Sequence, residues 1–98
     1  MAETYTSGIW NVKPGEEDAF AEAWAEFVAT GKDVPGSGEF RLVRDQQVPG
    51  RYLSFAPWEN AEARETWMGK PEMQEGLKRA SSHCEDVQVT IYELVKKV

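Results

Sequence analysis

The chain has 98 residues, 41% hydrophobic and 29% charged, an ordinary globular balance with room for one domain, residues 1–98, of modest core. Eleven Lys and Arg against 17 Asp and Glu give a formal charge of −6 at pH 7, which opposes phosphate backbones and anionic lipid, so no nucleic acid and no membrane partner is expected. One cysteine, Cys84, forbids an intramolecular disulfide and one histidine, His83, forbids a multi-histidine cage, so no metal site is expected.

Thr4 to Val12 is rich in β-branched and aromatic residues and stops at Lys13-Pro14-Gly15, which predicts a strand closed by a turn. Glu16-Glu17-Asp18 then places negative charge where a helix begins, and Phe20, Ala23, Trp24, Phe27 and Val28 follow at spacings of three and four. That helix ends near Thr30-Gly31, and residues 32–38, with three turn-formers and no periodicity, form a loop. Residues 39–45 and 51–58 read as two strands joined through Pro49-Gly50 into a hairpin. Asn60 is placed to cap a short helix over Ala61 to Met68, and Pro71 suits the first position of a second segment running to about Ser81. Glu85 to Val95, β-branched at Val87, Val89, Thr90, Ile91 and Val95, is the last strand.

The order β-α-β-β-α-β predicts an α+β fold, a ferredoxin-like split βαβ with helices on one face of a four-stranded antiparallel sheet. A sheet with one solvated face should alternate apolar and polar, yet Tyr52, Leu53, Phe55 and Trp58 place large apolar groups on both faces of one strand. A chain this short buries only roughly 60–65% of its unfolded surface alone. Both features predict a homodimer packed through its sheet faces. No apolar run approaches a membrane span and Met1-Ala2-Glu3-Thr4 has no basic region leading into an apolar stretch, so the expected location is cytoplasmic.

Four Trp, four Phe and three Tyr are what the chain offers in quantity for chemistry. Phe20, Trp24 and Phe27 share one helix face, as a core stripe would, and Trp10 and Trp58 are natural core residues of strands. Trp67, one turn after Ala63 in a helix of small residues, is placed to line a cavity, with Arg64 near the same face. His83 and Cys84 are adjacent, so their side chains diverge and do not make a nucleophilic pair.

The stretches G-I-W-N-V-K-P-G-E-E-D-A-F at 8–20, P-G-S-G-E-F-R-L-V-R-D at 35–45, R-Y-L-S-F-A-P-W at 51–58 and W-M-G-K-P-E-M at 67–73 together resemble the antibiotic biosynthesis monooxygenase (ABM) domain family, over about residues 4–95. The resemblance implies a dimeric α+β barrel of two ferredoxin-like subunits, each with a pocket between sheet and helices. Characterised members of that family include oxygenases that use molecular oxygen without flavin or metal on electron-rich phenols and quinols, and others that bind and degrade haem. Trp67 matches the helix tryptophan that lines the pocket in both branches. The haem-degrading branch carries an Asn and a His where this chain has Gly8 and Leu77, and the polyketide-oxidising branch carries an Asn where it has Ala63, with Asn60 a further turn away.

The reading that results is a cofactor-independent monooxygenase, no cofactor expected, acting on a small aromatic molecule such as a polyketide phenol, anthrone or quinol. Its candidate pocket residues are Trp67, Arg64, Trp10, Trp24, Phe27 and Leu77, with Tyr52, Ser54 and Asn11 as further polar contributors and the catalytic base unassigned. The alternative is a non-catalytic ligand-binding or stress-associated dimer of the same fold, with haem degradation third.

Overall fold

The computed structural model describes residues 3–98; Met1 and Ala2, the first residues of the expected 1–98 domain, lie outside the described residues. The elements are β1 (Thr4–Val12), α1 (Glu17–Ala29), β2 (Arg41–Arg44), β3 (Arg51–Trp58), α2 (Ala61–Met68), α3 (Pro71–Ser81) and β4 (Cys84–Glu93). The strands form one antiparallel sheet in the order β2-β3-β1-β4, the expected α+β ferredoxin-like arrangement. Among the described residues no helix is long and apolar enough to cross a membrane.

Local chemistry accounts for most boundaries. Asn60 accepts the backbone N–H of Ala63 through Oδ1 at 2.9 Å and so starts α2. Pro71 opens α3, where its missing N–H costs nothing. Two strands are shorter than the sequence suggests. The last strand stops at Glu93 rather than Val95: Glu93 lies opposite Thr4, the first residue of β1, and past that pair a single backbone bond, from the Leu94 N–H to the Glu3 carbonyl at 2.9 Å, still ties the two segments. The strand expected over 39–45 contracts to Arg41–Arg44 because Phe40 leaves the ladder to set its ring edge-on against Trp58, 5.6 Å between centroids, and Trp67, 5.4 Å.

Register decides which side chains meet the helices. Trp10 lies opposite Tyr52 and Thr4 opposite Trp58, so the even-numbered residues of β1 and β3 share the helix-covered face. Trp10, Trp58 and Phe20 are almost wholly buried there. α3 approaches α1 closely through Gly76, where a Cβ would sit 2.9 Å from the Cα of Phe27. The opposite face carries Val43, Leu53 and Ile9 in one row across β2, β3 and β1. Leu53 is 41% and Val43 45% exposed, so both faces of β3 are apolar in the folded chain.

Candidate functional site

Between the helix side of the sheet and the three helices lies a cleft. Its floor is Thr6, Gly8 and Trp10 of β1 with Ser54 and Ala56 of β3. Trp24, Phe27 and Val28 of α1 form one wall. Trp67 and Met68 of α2, Met73 and Leu77 of α3, and Phe40 form the other. Val89 of β4, half exposed, also borders it, since the helices leave that part of β4 uncovered. The cleft holds about 450 Å³ with its open mouth, but the space that the centre of a water molecule can reach is only about 40 Å³. An apolar cavity of roughly 150 Å³ accepts benzene, so a fused-ring ligand enters only if side chains at the rim give way.

The rings are held in fixed relation. Trp67 stacks on Trp58 at 5.3 Å and 26°, and tilts against Phe27 at 5.2 Å, while Trp10 meets Phe27 at 6.2 Å. Three indole N–H groups donate to hydroxyls: Trp10 to Ser54 Oγ at 2.9 Å, Trp58 to Thr6 Oγ1 at 3.1 Å, and Trp67 to Thr30 Oγ1 at 2.8 Å. The fourth, on Trp24, is buried and has no partner among the described residues, an omission that costs about 1–3 kcal/mol. Gly8 is required by its neighbour, because a Cβ there would lie 2.7 Å from Trp10 Nε1.

Of the six pocket residues expected from sequence, Trp67, Trp10, Trp24, Phe27 and Leu77 line this cleft. Arg64 does not. Its Nη1 donates to Thr4 Oγ1 at 2.9 Å, and it borders a separate, more open hollow with Asn60, Glu62, Tyr92 and Glu93. The reason is the helix itself: three residues turn Arg64 about 60° away from Trp67, toward the start of β1. Of the further polar candidates only Ser54 reaches the cleft. Tyr52 is buried against Phe20, centroids 5.4 Å apart, and Asn11 belongs to the opposite sheet face. Phe40, Met68, Met73 and Thr30 were not foreseen. The first three line the cleft, and Thr30 stands behind it as the partner of Trp67.

Among the described residues, none of the side chains lining the cleft carries a titratable group. His83 lies elsewhere, its Nδ1 3.0 Å from Glu16 Oε1. The Cys84 thiol is also outside the cleft; burial pushes its pKa up to about 11, opposed by nearby Lys13 and reinforced by Glu16. The cleft therefore presents apolar ring surface and a few hydroxyls, and its own lining offers no group to take a proton.

The sequence profile of the antibiotic biosynthesis monooxygenase family matches residues 9–79, more than two thirds of the chain. No curated protein matches by sequence. Among solved structures, a variant of SnoaB, a cofactor-independent oxygenase from Streptomyces nogalater, superposes with a TM-score of 0.86 at 16% identity, over 98% of this chain and 96% of that one. A conserved protein from Methanosarcina mazei gives 0.83 at 13% identity, over 94% and 92%. A Bordetella bronchiseptica protein carrying the same family description gives 0.81 at 20% identity, over 98% and 100%. At such identities the structural likeness is one of fold; it is the profile match, spanning β1 through most of α3, by which the chain belongs to the antibiotic biosynthesis monooxygenase family.

Proposed function

We propose that the protein is a cofactor-independent monooxygenase of a small electron-rich aromatic such as an anthrone or quinol, working in the cytoplasm as a homodimer joined through its outer sheet faces. The observation that carries this reading is the cleft itself: ring-walled and apolar, with hydroxyls and indole N–H groups as its side-chain polar groups. The fold likeness to the Streptomyces nogalater oxygenase supports it. The dimer rests on the exposed row around Leu53 and on the small size of the chain, and a reducing cytoplasm suits an unpaired Cys84.

Such a reaction turns a ring-flanked CH₂ into a carbonyl. One atom of O₂ goes to carbon, the other leaves as water with the two hydrogens, and the substrate supplies all the electrons. The chain contributes orientation between stacked rings and exclusion of water. Because no titratable side chain lines the cleft, the substrate's own acidity governs its ionisation. A carbanion spread over several rings loses less hydration on entering an apolar site than a localised charge does.

The test is oxygen uptake with anthrones of graded acidity, against heat-denatured protein as the blank for autoxidation. The expected result is one O₂ consumed per anthraquinone formed, insensitive to chelators, with a pH inflection that moves with the substrate's pKa. An inflection fixed across the series requires a protein base and refutes the mechanism. The same featureless lining favours a second reading, a binding protein without catalysis. Ligand-dependent stabilisation with no uptake above the blank selects it.

A further inference from the structure

We propose that the indole N–H of Trp24 is the hydrogen-bond donor that holds a carbonyl or phenolate oxygen of the bound aromatic, fixing which way round the ligand lies. The proposal rests on the cleft being an aromatic-binding site and adds a residue that selects for an oxygen acceptor.

Four tryptophans sit in or beside the cleft, and the fold treats one of them differently. The indole nitrogens of Trp10, Trp58 and Trp67 each have a hydroxyl on a neighbouring element within 3.1 Å. Trp24 is 9% exposed, its Nε1 is shut off from solvent, and among the described residues it has no hydrogen-bond partner. The neighbouring cleft side chains of α1 and α3 are Phe27, Val28, Met73 and Leu77, which carry no oxygen at all. A phenylalanine at position 24 would complete the apolar stripe of α1 without a buried donor. The indole is thus a cost in the empty protein that a ligand acceptor removes. Because the N–H is a donor only, it discriminates by chemistry: it rewards a carbonyl, rewards a phenolate more strongly, and gives nothing to a plain hydrocarbon. In the monooxygenation proposed above, developing negative charge on the ring oxygen of the ionised substrate falls to this group.

The test compares anthrone with 9,10-dihydroanthracene, which has the same three rings and no acceptor, on wild type and Trp24→Phe. Dissociation constants come from fluorescence titration at matched solvent. Trp24→Phe is expected to weaken anthrone about tenfold, equivalent to ~1.4 kcal/mol, and to leave dihydroanthracene within about twofold. In wild type, one indole N–H proton resonance is expected to move downfield with anthrone and not with dihydroanthracene, a readout that stands if the variant folds poorly. Equal losses for both ligands, no loss for either, or an unmoved indole resonance overturn the proposal, as does failure of wild type to bind either ligand. Trp24-dependent preference for anthrone without oxygen uptake supports the donor while refuting the oxygenase, so the two can fail separately.

Discussion

Replacing Thr30 by Val tests how the wall of the cleft is held. The two side chains have nearly the same shape and helix propensity, so the change removes a hydroxyl and little else. Thr30 Oγ1 makes two bonds, donating to the Phe27 carbonyl at 2.6 Å and accepting from Trp67 Nε1 at 2.8 Å. The carbonyl loses little, because the Thr30 backbone N–H still reaches it at 3.3 Å. The indole loses its partner while Trp67 stays 3% exposed, and a buried donor left unpaired costs about 1–3 kcal/mol. In a domain of this length each kcal/mol moves Tm by about 4–8 °C, so Thr30→Val is expected to lower Tm by about 4–24 °C. The decisive form is a double-mutant cycle by urea denaturation. In a Trp67→Phe background there is no N–H to orphan, and the cost of Thr30→Val is expected to fall below ~0.5 kcal/mol. Equal costs in the two backgrounds refute the assignment of the energy to the Trp67–Thr30 bond.

Gly76→Ala gains about 1 kcal/mol of helix propensity but sets a methyl 2.9 Å from the Phe27 Cα. Overpacking against backbone costs about 1–3 kcal/mol, so denaturation is expected to show a net loss, whereas Gly69→Ala, whose nearest contact is 3.4 Å, stays within ~0.5 kcal/mol. Raised to about 11, the Cys84 thiol is expected to react with a disulfide reagent far more slowly than free cysteine near neutral pH, accelerating only in strong alkali. Its folded pKa exceeds the unfolded value of about 8.5, so the stability it contributes is whole below that pH and is lost as pH rises toward 11; a Cys84→Ala variant that shows the same alkaline loss contradicts the assignment. Leu53→Arg puts a charge in the middle of the exposed apolar row and is expected to yield a folded monomer by light scattering. A dimer that survives it is not joined through this face.

The backbone plan was legible because each element carries its own local signal. The stripe from Phe20 to Val28, the Asn60 cap, Pro71 and the Pro49-Gly50 turn all act within a few residues, and the structure places elements where they predict. The site was legible only where the same periodicity reached it. Trp24 and Phe27 belong to the α1 stripe, so reading the helix also places them near the sheet. Thr30 escaped because its partner Trp67 lies 37 residues away, and nothing around a helix end announces that its hydroxyl will cap a distant indole. Phe40 sits in a strand-like run, and only competition from the Trp58 and Trp67 rings pulls it out of the ladder. Ser54 depended on strand parity, which the pairing of Trp10 with Tyr52 fixes and the sequence of β3 alone does not.

The rings that wall the cleft are also the rings that stabilise the fold, and this constrains how a ligand gains entry. Trp10, Trp58 and Trp67 are between 0% and 3% exposed, each tied by its N–H to a hydroxyl on another element. Moving any of them breaks a buried hydrogen bond and separates stacked rings, at a cost of several of the kcal/mol that a domain of this size possesses. The aliphatic and thioether side chains of α2 and α3 in the same wall as Trp67 are held differently. Met68 and Leu77 are only partly buried and Met73 is thioether and methylene, with no hydrogen bond to hold these side chains in place. Unbranched methionine changes rotamer at small cost and refills irregular space. Widening of the cleft for a fused-ring ligand therefore falls to the Met68, Met73 and Leu77 side chains, while the hydrogen-bonded tryptophans, Trp67 in the same wall included, stay fixed. Rings held in place beside side chains that give way can orient a ligand against the tryptophans while adjusting to its bulk. In so small a domain, that division lets one set of aromatic side chains serve both core and site.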